Sequence, residues 1–363
     1  MGAYVAAVVL VTIQLGVLLG HPGVFFLYRD AFFRLIHGQN LYATTPGYYG
    51  YLYSPTFALL FAPFAIPWPL LGLLLWNAVN AGALYVAVQR LIPGAPARLA
   101  LAIAFLDLLR SLQNSQSNGL VAALVVLAFV ALERGRPAGA AAALAVDTAI
   151  KLFPLAAVSL GFFQRRPLRF GLALAGAFAV LALLPLLVIP APLLIQEYWW
   201  WLGQTAAGAV LRGMSVMGIL HSWAGLDVPN VAVQAAGTVL LLVPVAWRRE
   251  RWREYEFRRL FLCSLLVYMV IFNHQAESPS FVIATTGIGI WYATAPRRPW
   301  RDALLILTLL VVSVFSLQFV PARLRWEWTR EYSLKAFPCL LAWLAMQWEL
   351  LARGPAVLTD PES

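Results

Sequence analysis

The chain has 363 residues, 61% of them apolar and 12% charged, with a formal charge of +10 and a mean hydropathy of +0.76. Soluble domains run nearer ~45–50% apolar and ~25% charged, so water is not the principal solvent for this chain. Its arginines fall in short clusters between apolar blocks rather than along one solvated face, which argues against nucleic acid and for the charge asymmetry of a membrane protein.

The first apolar block, residues 4–20, has no basic leader and no small-residue cleavage site, and predicts a retained helix rather than a signal peptide. Further blocks run at 55–67, 70–91, 97–110, 119–133, 137–150, 152–163, 170–189, 230–247, 259–273, 280–295, 302–320 and 335–351. The expected fold is all-α: a single polytopic membrane bundle of about 11–13 transmembrane or re-entrant helices over residues 1–352, with a disordered cytoplasmic tail over 353–363. Arg134 and Arg136, then Arg165, Arg166 and Arg169, the run Arg248 to Arg259, and Arg297, Arg298 and Arg301 mark the cytoplasmic loops. The segments around 114–118, Lys151, 190–229, 273–280 and 321–334 then face the other side, although Arg323, Arg325 and Arg330 break the pattern. Thirteen crossings do not satisfy this map. Either a short block such as 55–67 or 97–110 is re-entrant, or the N-terminus lies outside. The blocks within 97–133 and 137–163 carry polar residues and are candidate walls of a wet site.

Most chemistry-bearing residues fall on the non-cytoplasmic side. All four histidines, His21, His37, His221 and His274, are expected in loops there. The loop after the first helix contains DAFFRLIHG, with the spacing of a short interfacial helix. Asp30 suits either the N-cap of that helix or a general base for a hydroxyl at the membrane surface. Tyr42, Tyr48, Tyr49, Tyr51 and Tyr53 suit an interfacial belt better than a sugar platform. Lys151 and Lys335 are the only lysines among 26 basic residues. Lys151 stands four residues after Asp147, so it is either one half of a structural ion pair or a point charge for a leaving phosphate. Asp107 and Arg110 read as a further internal pair. NHQAESPS, Asn273 to Ser280, is richer in donors and acceptors than a connection needs: His274 can donate to a phosphate, Glu277 can orient it, and Asn273 and Gln275 can support both. NSQSN, with Gln116 and Asn118, carries a weaker version of the same signal, since such residues also make turns. The Trp-rich stretch Gln196 to Gly225 reads as an interfacial cover. Cys263 and Cys339 sit in apolar blocks and suggest neither disulfide nor metal site. There is no Asp-x-Asp pair, no Gly-rich phosphate loop and no His/Cys spacing for a metal, so neither metal nor other cofactor is expected.

These landmarks, in this order, resemble family 87 of the GT-C glycosyltransferases, whose familiar members are polyprenyl-phosphate-mannose-dependent mannosyltransferases. The resemblance rests on Asp30 followed by Gly38 to Tyr42, the Tyr53 to Pro55 helix start, NSQSN, the Ala-rich helix ending at Lys151 and Pro154, and NHQAESP. The chain departs from the family's more usual Gly-Gln-x-Asn at NSQSN. The resemblance implies an inverting transfer of mannose or another sugar from a polyprenyl-phosphate donor to a lipid or glycan acceptor, on the outer side of the cytoplasmic membrane. Asp30 would be the base, Lys151 and His274 would lie near the donor phosphate, and Tyr53, Gln116, Asn118, Asn273, Gln275 and Glu277 would support them. The rival reading is a transporter or flippase of lipid-linked sugars using Asp107, Asp147 and Lys151 as an internal path, but no pair of similar halves is visible in the sequence.

Overall fold

The computed structural model describes residues 1–20, 23–43, 50–207, 211–315, 321, 323 and 331–352, among which every regular element is helical. Helix α1 (Gly2–Ile13) is prolonged by a π turn over Gln14–Leu18. Tyr4 at its start donates to the Leu101 carbonyl, and Gln14 near its end accepts from Gln113. Next come α2 (Phe25–Ile36), α3 (Pro55–Leu60) and α4 (Ala62–Ala65). Helices α5 (Pro69–Leu91), α6 (Ala95–Gln113), α7 (Asn118–Glu133) and α8 (Pro137–Ile150) then pass back and forth, and a 3-10 segment, Phe153–Phe163, follows them. The remainder is α9 (Pro167–Leu183), α10 (Ala191–Ala207), α11 (Val216–Ala224), α12 (Asn230–Trp247), α13 (Tyr255–Ile271), α14 (Phe281–Thr294), α15 (Pro299–Thr308) and α16 (Ala336–Leu351). Proline in the first turn opens α3, α5, α6, α8, α9 and α15, where its missing N–H costs no helical bond.

The bundle has two chemically distinct ends. At one end Arg258 is doubly bonded to Glu133, Phe163 packs edge-on against Trp252 and Phe257, Arg301 reaches Glu349 at 2.6 Å, and Arg251 donates to the Ala352 carbonyl. All four arginine clusters therefore gather there. At the other end the Val24 N–H donates to Asn114, Trp76 donates to the Ser115 carbonyl, Gln116 meets Glu277, the Met214 N–H donates to Ala276, and Lys335 meets Ser278. The sorting of loops by charge thus holds in three dimensions.

Geometry also resolves the parity conflict. Block 55–67 does not traverse the bundle: it breaks at Phe61 into two short helices, and both stay at the polar end, where Arg29 donates to the Ala65 carbonyl and Phe61 packs on Phe25. With that block removed the number of passes among the described residues is even, and α1 starts at the same arginine-rich end where α16 finishes. The segment 153–163 does traverse, although it is short. A 3-10 helix rises about 2.0 Å per residue, so these residues gain the height that an α-helix would need about 15 to reach. Among the described residues three helices, Pro69–Leu91, Pro167–Leu187 and Asn230–Trp247, are long and apolar enough to cross a membrane outright, and five shorter apolar helices accompany them.

Hydropathy does not rank helices by depth. The most apolar span, Pro167–Leu187, is only 11% buried. By contrast, residues 261–271 of α13 and 281–292 of α14 are buried on every face. Both patterns follow from one rule, since a helix that is apolar all round is at home in lipid or in a protein core. Small residues select the core position here: a Cβ on Gly287 would stand 2.6 Å from the Cys263 carbonyl oxygen, and one on Gly289 would stand 2.9 Å from that of Ala100.

Candidate active site

The polar end assembles a connected group around Lys151. This residue caps α8 with extended backbone (φ −145°, ψ 144°), which swings its side chain off the face that carries Asp147. Its Nζ donates to Asn118 Oδ1 at 2.7 Å and to Gln116 Oε1 at 3.3 Å. Asn118 Nδ2 also donates to Gln116 Oε1, and Gln116 Nε2 donates to Glu277 Oε2 at 2.8 Å. Of the two readings of Lys151, the structural ion pair with Asp147 is therefore not the one that forms. Asp147 is fully buried with neither carboxylate oxygen accepting a hydrogen bond, because the helix ends one residue before its partner would come into line. Burial lowers the Lys151 pKa to about 8, against the opposing pull of Glu277 and then Asp147.

Three contacts fix this group in place. Ser54 caps α3 by accepting from the Phe57 N–H, and its own hydroxyl donates to the Ala149 carbonyl, two residues before Lys151. Tyr53 accepts from Tyr28 at 2.8 Å, and its phenol feels the Glu277 carboxylate. Gly213, at φ +51°, lets the 211–215 segment press on the 273–280 loop, where a Cβ would meet the His274 carbonyl oxygen at 2.7 Å.

His274 faces a different neighbour. Gln234 Nε2 on α12 donates both to the Phe272 carbonyl and to His274 Nδ1, at 3.1 and 3.0 Å. A carbonyl only accepts, so the amide orientation is set; Nδ1 is then the acceptor and the ring proton sits on Nε2. That Nε2 is buried and has no protein partner. Burial also lowers the imidazole pKa, which keeps the ring neutral near pH 7. In the same loop Asn273 Oδ1 accepts from the Gln275 N–H, so Asn273 shapes the turn while the Gln275 side chain makes none of these bonds.

Asp30 lies apart from this network. Helix α2 begins at Phe25 with Val24 as its cap, so Asp30 is inside the helix and is not the expected N-cap. Tyr28, Ala31, Phe32 and Leu35 form the buried face, and Asp30 points the opposite way, exposed and paired with Arg34 at 2.6 Å. Arg34 also donates to the Ala43 carbonyl, which holds the pair against the following loop. Two other expectations change. Tyr42 and Tyr51 are buried and belong to the core rather than to an exposed aromatic belt, with Tyr48 and Tyr49 outside the described residues. His221 lies within α11 and bonds Asp227 instead of occupying a loop. His21, Arg325, Arg330 and the 353–363 tail also lie outside the described residues.

Two features escaped sequence reasoning. Glu197, the only acidic residue of the Trp-rich stretch before Asp227, is buried and accepts from the Leu41 N–H with both oxygens, and burial raises its pKa to about 7. It ties α10 to the loop that follows Asp30. Lys335, noticed only as the second lysine, is fully buried and donates to Ser278 Oγ at 2.6 Å beside the Phe281 ring. Asp107 faces it electrostatically and accepts from Ser313 at 2.7 Å. Both lysines of the chain thus converge on one loop, and their rarity was the available signal. Among the described residues no group of three His, Cys, Asp or Glu side chains is placed to hold a metal ion.

An all-helical membrane bundle with its polar side chains gathered at one end defines the class of protein. The model of glycosyltransferase family 87 matches residues 51–273, more than half of the chain, and the chain belongs to that family and so to the GT-C glycosyltransferases. The matched region holds Tyr53, Gln116, Asn118, Lys151 and Asn273, whereas Asp30, His274, Gln275 and Glu277 lie outside it. No curated protein matches the chain.

Proposed function

We propose that this glycosyltransferase moves a sugar from a polyprenyl-phosphate donor to a hydroxyl of a lipid or glycan acceptor, with inversion, at the polar end of the bundle. By the positive-inside rule that end faces away from the cytoplasm, so the enzyme would work from the outer side of the cytoplasmic membrane. The donor phosphate rests between His274, within the 273–280 loop, and Lys151, which is tied to that loop through Gln116 and Glu277. The observation that carries this reading is the orphaned, buried Nε2–H of His274, a donor without an acceptor in a loop whose Glu277 is linked through Gln116 to the Lys151 ammonium. Such groups are costly to leave unpaired and suit an anionic ligand.

In the step itself the acceptor oxygen bonds to the anomeric carbon as its proton passes to the Asp30 carboxylate. The bond from that carbon to the phosphate oxygen breaks, and polyprenyl phosphate leaves with the electron pair, stabilised by Lys151 and His274. The exposure of Asp30 supports its role in this reading, since a bulky acceptor can reach the carboxylate. The flippase reading has less support, because the polar groups gather at one end instead of marking a path through the bundle. Transfer of label from polyprenyl-phosphate sugars by the lipid-reconstituted enzyme tests the proposal. Asp30→Asn is expected to abolish turnover without loss of fold, and Lys151→Met to lower kcat by roughly 10²–10³. Wild-type turnover in Asp30→Asn would refute the base assignment.

A further inference from the structure

The arginine-rich end carries a feature that sugar transfer does not use. A cavity of about 900 Å³ opens among α13, α14, α15 and α16, and Arg251, Arg259, Arg298 and Arg301 line it against only two carboxylates, Glu256 and Glu349. Arg301 is fixed by Glu349 and the Pro296 carbonyl and lies over the Trp291 and Trp300 rings, so the positive wall is rigid. Arg259 is steadied by Glu256 and by the Tyr255 ring. Arg298 is exposed and forms no ion pair among the described residues. Deeper in the cavity the lining turns apolar, with Leu260, Cys263 and Ala345.

We infer that this cavity binds the phosphodiester headgroup of an anionic phospholipid from the leaflet on the arginine-rich side. Charge complementarity selects the headgroup: Arg251 is matched by Glu254, Arg259 by Glu256 and Arg301 by Glu349, so Arg298 carries the surplus charge that wants an anion, and its guanidinium fork matches phosphate oxygens two at a time. Depth selects a lipid over a soluble anion. Trp300 and Trp348, on the rim, are 40% and 73% exposed, and indoles favour the level of the headgroups. The apolar lining below them suits the glycerol and the first carbons of the acyl chains. Basic pockets between helices at the positively charged side of a membrane protein are the expected place for such lipids. The site stands at the opposite end of the bundle from Lys151, so its occupancy is independent of the donor.

Native mass spectrometry of the full-length protein, released from nanodiscs of phosphatidylcholine with a minor fraction of phosphatidylglycerol, tests this. Wild type is expected to retain phosphatidylglycerol well above its bulk share. Arg259→Gln with Arg298→Gln should lower that enrichment by roughly fivefold per arginine removed. Arg134→Gln with Arg136→Gln removes the same charge from the same end outside the cavity and should leave enrichment unchanged. Arg298→Gln alone, at an exposed position, gives the same reading if the double variant folds poorly. No enrichment in wild type, equal loss in both double variants, or displacement of the lipid by millimolar glycerol phosphate would each overturn the inference.

Discussion

In its proposed role Lys151 couples activity and stability in opposite directions. Its ammonium is proposed to meet the leaving phosphate, so turnover should fall as pH rises through about 8, the pKa to which burial lowers it. The stability effect has the other sign. Between about 8 and the ordinary 10.5 the unfolded chain binds a proton that the folded chain has released, so the unfolding free energy rises with pH across that window. Parallel pH profiles of transfer and of chemical denaturation should therefore diverge above pH 8, and Lys151→Met should flatten its share of both. Gln234 offers a second test at this scale. Gln234→Leu removes the donor that places the His274 proton on Nε2, and kcat should drop about tenfold to a hundredfold with KM little changed. A rise in KM alone would point to loop collapse instead.

Among the elements, the 273–280 loop depends on what is pressed against it. Gly213 and Gly225 both take positive φ, at +51° and +64°, but a Cβ on Gly213 would meet the His274 and Ala276 backbone, whereas one on Gly225 would meet nothing within 4 Å. Gly225→Ala should thus cost only the left-handed strain, about 1–2 kcal/mol, and keep activity. Gly213→Ala should destabilise more and also reduce transfer, as thermal unfolding and the transfer assay would report. Much of this scale was legible in the sequence. Ser54 followed by proline gave a helix start, the Ala-rich run ended at Lys151, and NSQSN opened α7 at Asn118. The direction in which each polar side chain leaves its helix was not legible, because one residue of helix length decides it. That is why the i,i+4 spacing of Asp147 and Lys151 suggested a pair that does not form.

For the whole molecule, the alternation of arginine-rich and polar loops predicts that the N-terminus and the arginine clusters share one side. Single cysteines at Arg136 and Gly2 should be labelled by an impermeant maleimide from one face of sealed vesicles, and one at Glu277 from the other. Cys263 and Cys339 are buried and should stay silent. Labelling of positions 2 and 136 from opposite faces would refute the even count of passes.

Composition and block spacing by themselves determined that this protein is a helical membrane bundle, that its arginines are sorted to one end, and which loops are rich in polar side chains. Each of these depends on the solvation of a segment, which a segment carries in its own residues. Only the tertiary structure decided that block 55–67 turns back and that α13 and α14 form the core while the more apolar α9 lies outside. It alone brought Lys151 to Asn118 and Gln116 instead of Asp147, and Lys335 to Ser278 of the 273–280 loop. Those outcomes depend on which surfaces meet across the bundle, and the chain records that only through small residues, helix lengths and polar groups whose partners lie far away in sequence.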